Sequence, residues 1–368
     1  MFARYPAPYI GDAERRDCDA GVTELRPRWV IIALCLAGFV STADRGRAAD
    51  GGPVAGLNRA IVAEESRSGS TSPHLLPLLD RLAGVQLDDG ALSEAAESRH
   101  RAMKIAIAAY GGSSINAARA MTALAEIDIL RLRYLDAEPL LTVAVADLSE
   151  RLGADNPALS EPLTALARIA VAHGEFNRAE NLAGRANTLA RRDPARSAEA
   201  LRALGAAYAG EKRFDEGETV LRQAVARDRQ VHGETSLEAA RSFAQLANLL
   251  LRAQRFDEAL LPLEQALAID QTRLGSTHPL IADDFCDLGL TYAGLKRDRD
   301  AILTLAYAMG LLEQAGARNS SRFAYAELDL AGVLRTMGFA KDADTAFADA
   351  KRILDNAEED DRQREREL

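Results

Sequence analysis

Leu82, Ala95 and Ala102 set a spacing that recurs seven times along this chain: a leucine, then alanine or glycine at the thirteenth place after it, then alanine at the twentieth. The leucines are Leu82, Leu124, Leu166, Leu204, Leu246, Leu288 and Leu330; the closing alanines run from Ala102 to Ala350. Successive triplets keep the interval that separates Leu82 from Leu124, except for one shorter step from Leu166 to Leu204. A fixed period of this length signals stacked supersecondary units, each too small to bury its own apolar face, so the chain must build its core between neighbours. That overrides the two or three globular domains that 368 residues would otherwise suggest.

Each unit reads as two helices. In the fifth, Leu246, Leu249 and Leu250 recur at helical spacing on the first, and Leu260, Leu263 and Leu267 on the second. Ala259 and Ala266 are just under two turns apart and share one helix face. Small side chains there let a neighbouring helix approach closely enough for a leucine to fill the gap. Helix starts keep the same register. Ser72-Pro73, Asn156-Pro157 and His278-Pro279 occupy equivalent places, and Ser114, Ser236 and Ser320 hold the first of them in other units. Serine and asparagine cap helices, and proline suits a first turn whose N–H would be unpaired anyway. Gly111, Gly153, Gly233 and Gly275 form a column where the preceding helix must end. The short interval falls in the connector Ala190–Pro194, so four residues are lost from surface rather than core.

These residues resemble the tetratricopeptide repeat family, whose leucine, small, aromatic, small and alanine order is visible in Leu204-Gly205, Tyr208, Phe214, Gly217 and Ala224. The long period, with Gly275-Ser276-Thr277-His278-Pro279 between units, is similar to the longer repeats of kinesin light chains. HEAT and armadillo repeats overlap in period but lack the alanine pair seven residues apart. The resemblance implies an all-α solenoid, a right-handed superhelix of seven helical hairpins over residues 72–357. Its first helices would line a concave groove for proteins or peptides. Repeats one, two and seven depart from the pattern with Gln86, Asp128 and Leu334 where an aromatic is common. The paired asparagines that hold ligand in kinesin light chains are replaced by Ala244-Gln245 and Cys286-Asp287.

The ends differ in character. Arg26 and Arg28 precede the apolar run Trp29–Val40, and Ser41-Thr42-Ala43 follows it with the small residues a signal peptidase needs. Twelve apolar residues span about 18 Å as a helix, short of a hydrocarbon core of about 30 Å. Residues 26–43 are therefore expected to be a cleaved signal peptide, giving a periplasmic or secreted protein; an uncleaved inner-membrane anchor is the alternative. Residues 1–25 make an unusually long mixed-charge leader, consistent with a true start near Val22. Residues 44–71, rich in Gly, Ser, Asp and Arg, read as a flexible linker with room for a short helix from Leu57 to Glu64. Residues 358–368 read as a fraying charged tail. Cleavage would remove Cys18 and Cys35 and leave Cys286 alone, so no internal disulfide is expected.

No cofactor, metal or catalytic motif stands out. The five histidines are scattered, with no H-E-x-x-H pair, and there is no P-loop, dinucleotide fingerprint or nucleophile elbow. A net charge of −10 argues against nucleic acid as partner. The groove positions implied by the resemblance carry Arg168, Arg202, Arg241, Asn248, Arg252 and Asp283. Guanidinium groups offer planar bidentate donors to carboxylates, which points to a peptide with an acidic stretch or a free carboxyl end. The competing reading is that nearby acids such as Glu161, Glu199 and Asp283 neutralise these arginines in ordinary ion pairs. The expected function is a non-enzymatic exported scaffold. The alternatives are an accessory or catalytic subunit of an envelope enzyme using Cys286, and self-association into a structural oligomer.

Overall fold

The computed structural model describes residues 52–367. The leader, the signal segment, Cys18 and Cys35 all lie outside the described residues. Among those described, fifteen α-helices follow one another. Helix α1 (Pro53–Ser68) precedes seven hairpins: α2 (Leu76–Asp88) with α3 (Leu92–Tyr110), α4 (Ile115–Leu130) with α5 (Tyr134–Leu152), and α6 (Ser160–Ala172) with α7 (Phe176–Leu189). The series continues as α8 (Pro194–Gly210) with α9 (Phe214–His232), α10 (Leu237–Arg252) with α11 (Phe256–Leu274), α12 (Ala282–Gly294) with α13 (Asp298–Gln314), and α14 (Ser321–Thr336) with α15 (Ala340–Glu367). Each helix packs on the next in sequence. From α4 to α14 the first helices of successive hairpins also touch one another, so they form a continuous inner layer with the second helices outside it.

The small residues of the triplet are sealed: Ala95, Ala137, Ala179, Ala259, Ala301 and Ala343 have no exposed surface, and Gly217 is buried among them. Close approach is the reason for the glycine, since a Cβ there would sit 2.3 Å from Leu249 Cδ1. Four of the seven anchors have an aromatic three residues before them, Tyr134, Phe176, Phe214 and Phe256, and each reaches the following hairpin. Phe176 lies on Gly210, where a Cβ would meet its ring at 2.1 Å. Leu82 through Leu288 are buried, whereas Leu330 is only half-buried. The last hairpin has no successor to cover it.

All seven first helices begin on a side-chain cap. Ser72, Ser114, Asn156, Ser236, His278 and Ser320 each accept from a backbone N–H two or three residues on, and so does Asp193 in the shortened connector. The three cap–proline pairs open a single 3-10 turn before the α-helix proper. Second helices have no such cap. Instead a left-handed residue precedes each at a constant register: Gly90, Leu132, Gly174, Lys212, Gln254, Lys296 and Gly338. The glycine column at the far end of the second helices is left-handed as expected, with φ of 88° to 96° at Gly111, Gly153, Gly233 and Gly275.

Two readings of the ends need correction. Residues 53–68, expected within a flexible linker with room for a short helix from Leu57 to Glu64, form the 16-residue helix α1, which extends beyond that short helix at both ends. Leu57 and Ile61 bury against Leu75, Leu79, Leu82 and Ile105, and Glu65 pairs with Arg101, so α1 covers the otherwise bare first hairpin. At the other end α15 continues helically through the segment expected to fray, to Glu367. Among the described residues no helix is long and apolar enough to cross a membrane.

Candidate functional site

The inner layer presents its polar residues in rows, because equivalent positions of successive first helices lie side by side. One row, five residues before the leucine, reads Arg119, Glu161, Glu199, Arg241, Asp283 and Tyr325; Arg119, Glu199, Arg241 and Asp283 are solvent-exposed. A second row holds Glu126 and Arg168, one repeat apart, as an ion pair. The third, two residues before the leucine, contains Arg202 and Cys286.

Arg202 is not a groove ligand waiting for a partner. Its side chain is 13% exposed and the carboxylate it meets, Asp228 on α9, 1%. Arg202 Nη1 donates to Asp228 Oδ2 at 2.6 Å and to Ser242 Oγ at 3.3 Å, while Ser242 Oγ donates to the same Asp228 oxygen at 2.6 Å. Glu199 lies 4.0 Å away. Burial pulls the Arg202 guanidinium below its ordinary pKa, and Asp228 and Glu199 oppose that. One guanidinium, one carboxylate and one hydroxyl thus tie three helices from two hairpins into a buried polar centre.

The same register one repeat on is different. Asp270 stands where Asp228 does, Asp284 replaces Ser242, and Ala244 replaces Arg202. Two carboxyl groups face each other there without the guanidinium, and burial, reinforced by Asp270, pushes the Asp284 carboxyl well above the usual range. Asp270 is raised as well, by burial, with Arg241 pulling the other way. The sequence reading missed this pair. The signal was present: equivalent positions of adjacent repeats, with an acid kept at one, an acid gained at the other and the basic residue lost.

The remaining candidates divide cleanly. Arg168 is taken by Glu126, and Asp283 lies 3.7 Å from Arg322. Asn248 donates its Nδ2 hydrogens to Asp287 at 3.3 and 3.4 Å. Arg252 is half-buried and engaged with its neighbours. Arg241 is exposed on the groove face, and among the described residues it makes no ion pair or hydrogen bond; its carboxylate neighbours in the row are Glu199 and Asp283. Enclosure in the groove raises the Glu161 and Glu199 carboxyls, with Arg196 and Arg202 respectively opposing most. Cys286 is buried, and its thiol is pushed well up by burial and then by Asp329, Asp283, Asp287 and Asp284. A thiol so placed stays protonated and is a poor nucleophile.

Comparison with known proteins agrees with this architecture. Residues 196–272 match the tetratricopeptide repeat family. No curated protein matches the chain in sequence. Among solved structures, a Rap protein complexed with competence and sporulation factor superposes with a TM-score of 0.62 at 11% identity, covering 90% of this chain and 98% of that one. Aspartyl phosphate phosphatase F from Bacillus subtilis gives 0.55 at 13% identity, covering 81% and 75%. A looser likeness, TM-score 0.41 at 21% identity over 55% of this chain and 97% of the other, links it to a kinesin-light-chain-type chain from Podosopora anserina with nearly identical TPR-like repeats. At these identities the likeness is one of fold, an all-α solenoid of helical hairpins, and the match to tetratricopeptide repeats is confined to residues 196–272.

Proposed function

We propose that the protein is a non-enzymatic scaffold that holds an extended polypeptide in the groove of its inner layer. Arg241 meets a single carboxylate of the ligand, in the first instance a free carboxyl end. The observation that carries this reading is Arg241 itself, an exposed guanidinium without an ion pair at the middle of the row; Arg119, near its beginning, is also exposed and without an ion pair among the described residues, whereas Glu161, Glu199 and Asp283 each lie within 4.0 Å of an arginine. Its flanking carboxylates Glu199 and Asp283 would repel a long acidic stretch, so one carboxylate suits the site better than several. That a Rap protein of similar fold is seen complexed with a factor supports a ligand-binding role for this fold. The protonated, buried Cys286 speaks for a scaffold over an enzyme.

We also propose export, which rests on the apolar run Trp29–Val40 and the small residues after it; the amino-terminal mass of the protein recovered from the cell envelope tests it. For the groove, the test is selection from a random pool of dye-labelled dodecapeptides with free carboxyl ends, followed by titration of the selected peptides and their amidated counterparts. Amidation is expected to weaken binding at least tenfold. Equal affinity of both forms would overturn the carboxylate assignment.

A further inference from the structure

Two contacts join residues far apart in the chain. His278 Nε2 lies 2.7 Å from the Asp88 carbonyl oxygen, and Arg322 Nη2 donates to the Leu130 carbonyl oxygen at 3.5 Å. Beside the first, Pro279 is seated on Gly90, where an added Cβ would come 2.9 Å from the proline Cγ. These are contacts between distant hairpins. Asp88 ends α2 and Gly90 lies in the turn that follows it, in the first hairpin, and His278 caps the sixth. Leu130 ends α4 in the second hairpin, and Arg322 stands in the first turn of α14, in the seventh.

The pattern has a geometric meaning. In an up-and-down stack of hairpins, the turns within hairpins line one edge of the solenoid and the connectors between hairpins line the other. Both contacts bring the first edge against the second, and both join a hairpin to the fifth one after it. One turn of the superhelix therefore takes about five hairpins, and the next turn lies against it rather than leaving a slot.

The chemistry at His278 suits this contact and not capping alone. In the other hairpins a serine, asparagine or aspartate caps the first helix, and the second bonds of Ser114, Ser236 and Ser320 stay local, each hydroxyl donating to the carbonyl three residues before it. His278 uses Nδ1 to accept from Leu280 N–H at 3.2 Å. In the neutral ring the proton then sits on Nε2, which donates to Asp88. A residue with two opposed polar atoms stands where one would serve for the cap.

We propose that these contacts staple successive turns of the superhelix together, closing the side of the groove so that a ligand enters end-on, as a free chain terminus and not as an internal loop. This rests on the groove-binding reading above, but the staple can be tested apart from it. In the full-length Gly90→Cys/Pro279→Cys protein, mild oxidation is expected to form a 90–279 disulfide, found by peptide mapping, in most of the population. His278→Asn keeps a capping oxygen like that of Asn156 but is too short to reach Asp88. Combined with Arg322→Ala, it is expected to increase the maximum dimension seen by small-angle X-ray scattering while helical content stays constant. Absence of the disulfide in a protein of normal helicity, together with unchanged scattering for the His278 and Arg322 variant, would overturn the staple.

The mode of access is tested with the selected free-carboxyl dodecapeptides. The disulfide-locked protein is expected to bind them within about twofold of its reduced form. The same peptides, with their carboxyl ends still free but a folded carrier protein crosslinked to a cysteine at mid-chain, should bind only after the staple is removed by His278→Asn/Arg322→Ala. Loss of free-peptide binding on locking would overturn end-on access. If no peptide binds the unmodified protein, the groove reading fails, and the disulfide and scattering results still decide the staple.

Discussion

The junction between the fourth and fifth hairpins and the junction between the fifth and sixth share one backbone design but differ in their polar centre. In the first, Arg202 sits between Asp228 and Ser242 and every group is matched. In the second, Ala244 leaves Asp270 and Asp284 to share their charge, and both carboxyls titrate above their usual range. The aliphatic scaffold is the same on both sides, with Ala224 and Ala266 sealed at the same register. Packing in a solenoid is thus set by the repeat, while the polar atoms between repeats are free to vary. That freedom is where each hairpin acquires its own pH response and stability.

The largest effect expected from this contrast is at the matched junction. Arg202→Ala would strand Asp228, which is almost wholly enclosed, and should cost about 3–5 kcal/mol of unfolding free energy, measured by urea titration. The corresponding loss already exists in the other junction, so Ala244→Arg should raise the urea midpoint. A fall would mean that the two junctions are not equivalent.

Next in size is the response to pH. Asp270 and Asp284 have folded pKa values raised above their unfolded ones, so between those values the folded state binds more protons, and stability must fall as pH rises. Glu161 and Glu199 act in the same direction, as does Glu327, pushed up to about 7 by burial and then by Asp349. The exposed carboxylates held down by arginines, such as Glu216 and Glu258, titrate lower and stay ionised in this range. The urea midpoint should therefore decline from pH 5 to pH 8. Asp284→Ser, which copies Ser242, should flatten part of that decline and gain about 1–3 kcal/mol at pH 8. An unchanged slope would remove the acid pair from the account.

A smaller effect is expected in the turns within hairpins. Leu132, Lys212, Gln254 and Lys296 adopt the left-handed conformation that Gly90, Gly174 and Gly338 adopt without a Cβ. The left-handed penalty of about 1–2 kcal/mol outweighs glycine's entropic cost of about 0.5–1 kcal/mol. Lys212→Gly should therefore stabilise slightly, by about 0.5–1 kcal/mol in the same titration, whereas Gly174→Lys should destabilise.

Much of this architecture was legible in the residues before any coordinates. The leucine and its two small partners set the hairpin, and six of the seven first-helix caps could be read from their register. Asp193 could not, because the four-residue deletion had moved it out of its column. Helix α1 was legible only in part, as a short helix from Leu57 to Glu64, because only Leu57 and Ile61 bury deeply, too few to impose a period on the whole of a segment rich in glycine, serine and charge. The groove arginines were placed on the right helices, but spacing alone does not reveal pairing. Glu126 with Arg168, opposite charges one repeat apart on one row, was within reach of register arithmetic. Arg202 with Asp228, joining a first helix to the second helix of its own hairpin, was not. Contacts such as His278 with Asp88 depend on the accumulated curvature of five hairpins, which no local pattern encodes.

The most direct test of the account is the affinity of Arg241→Gln for a selected free-carboxyl peptide, read beside its urea midpoint. An exposed side chain without an ion pair should leave stability within about 0.5 kcal/mol of the parent, while the dissociation constant rises at least tenfold. Unchanged affinity would contradict the assignment of Arg241 as the ligand's partner.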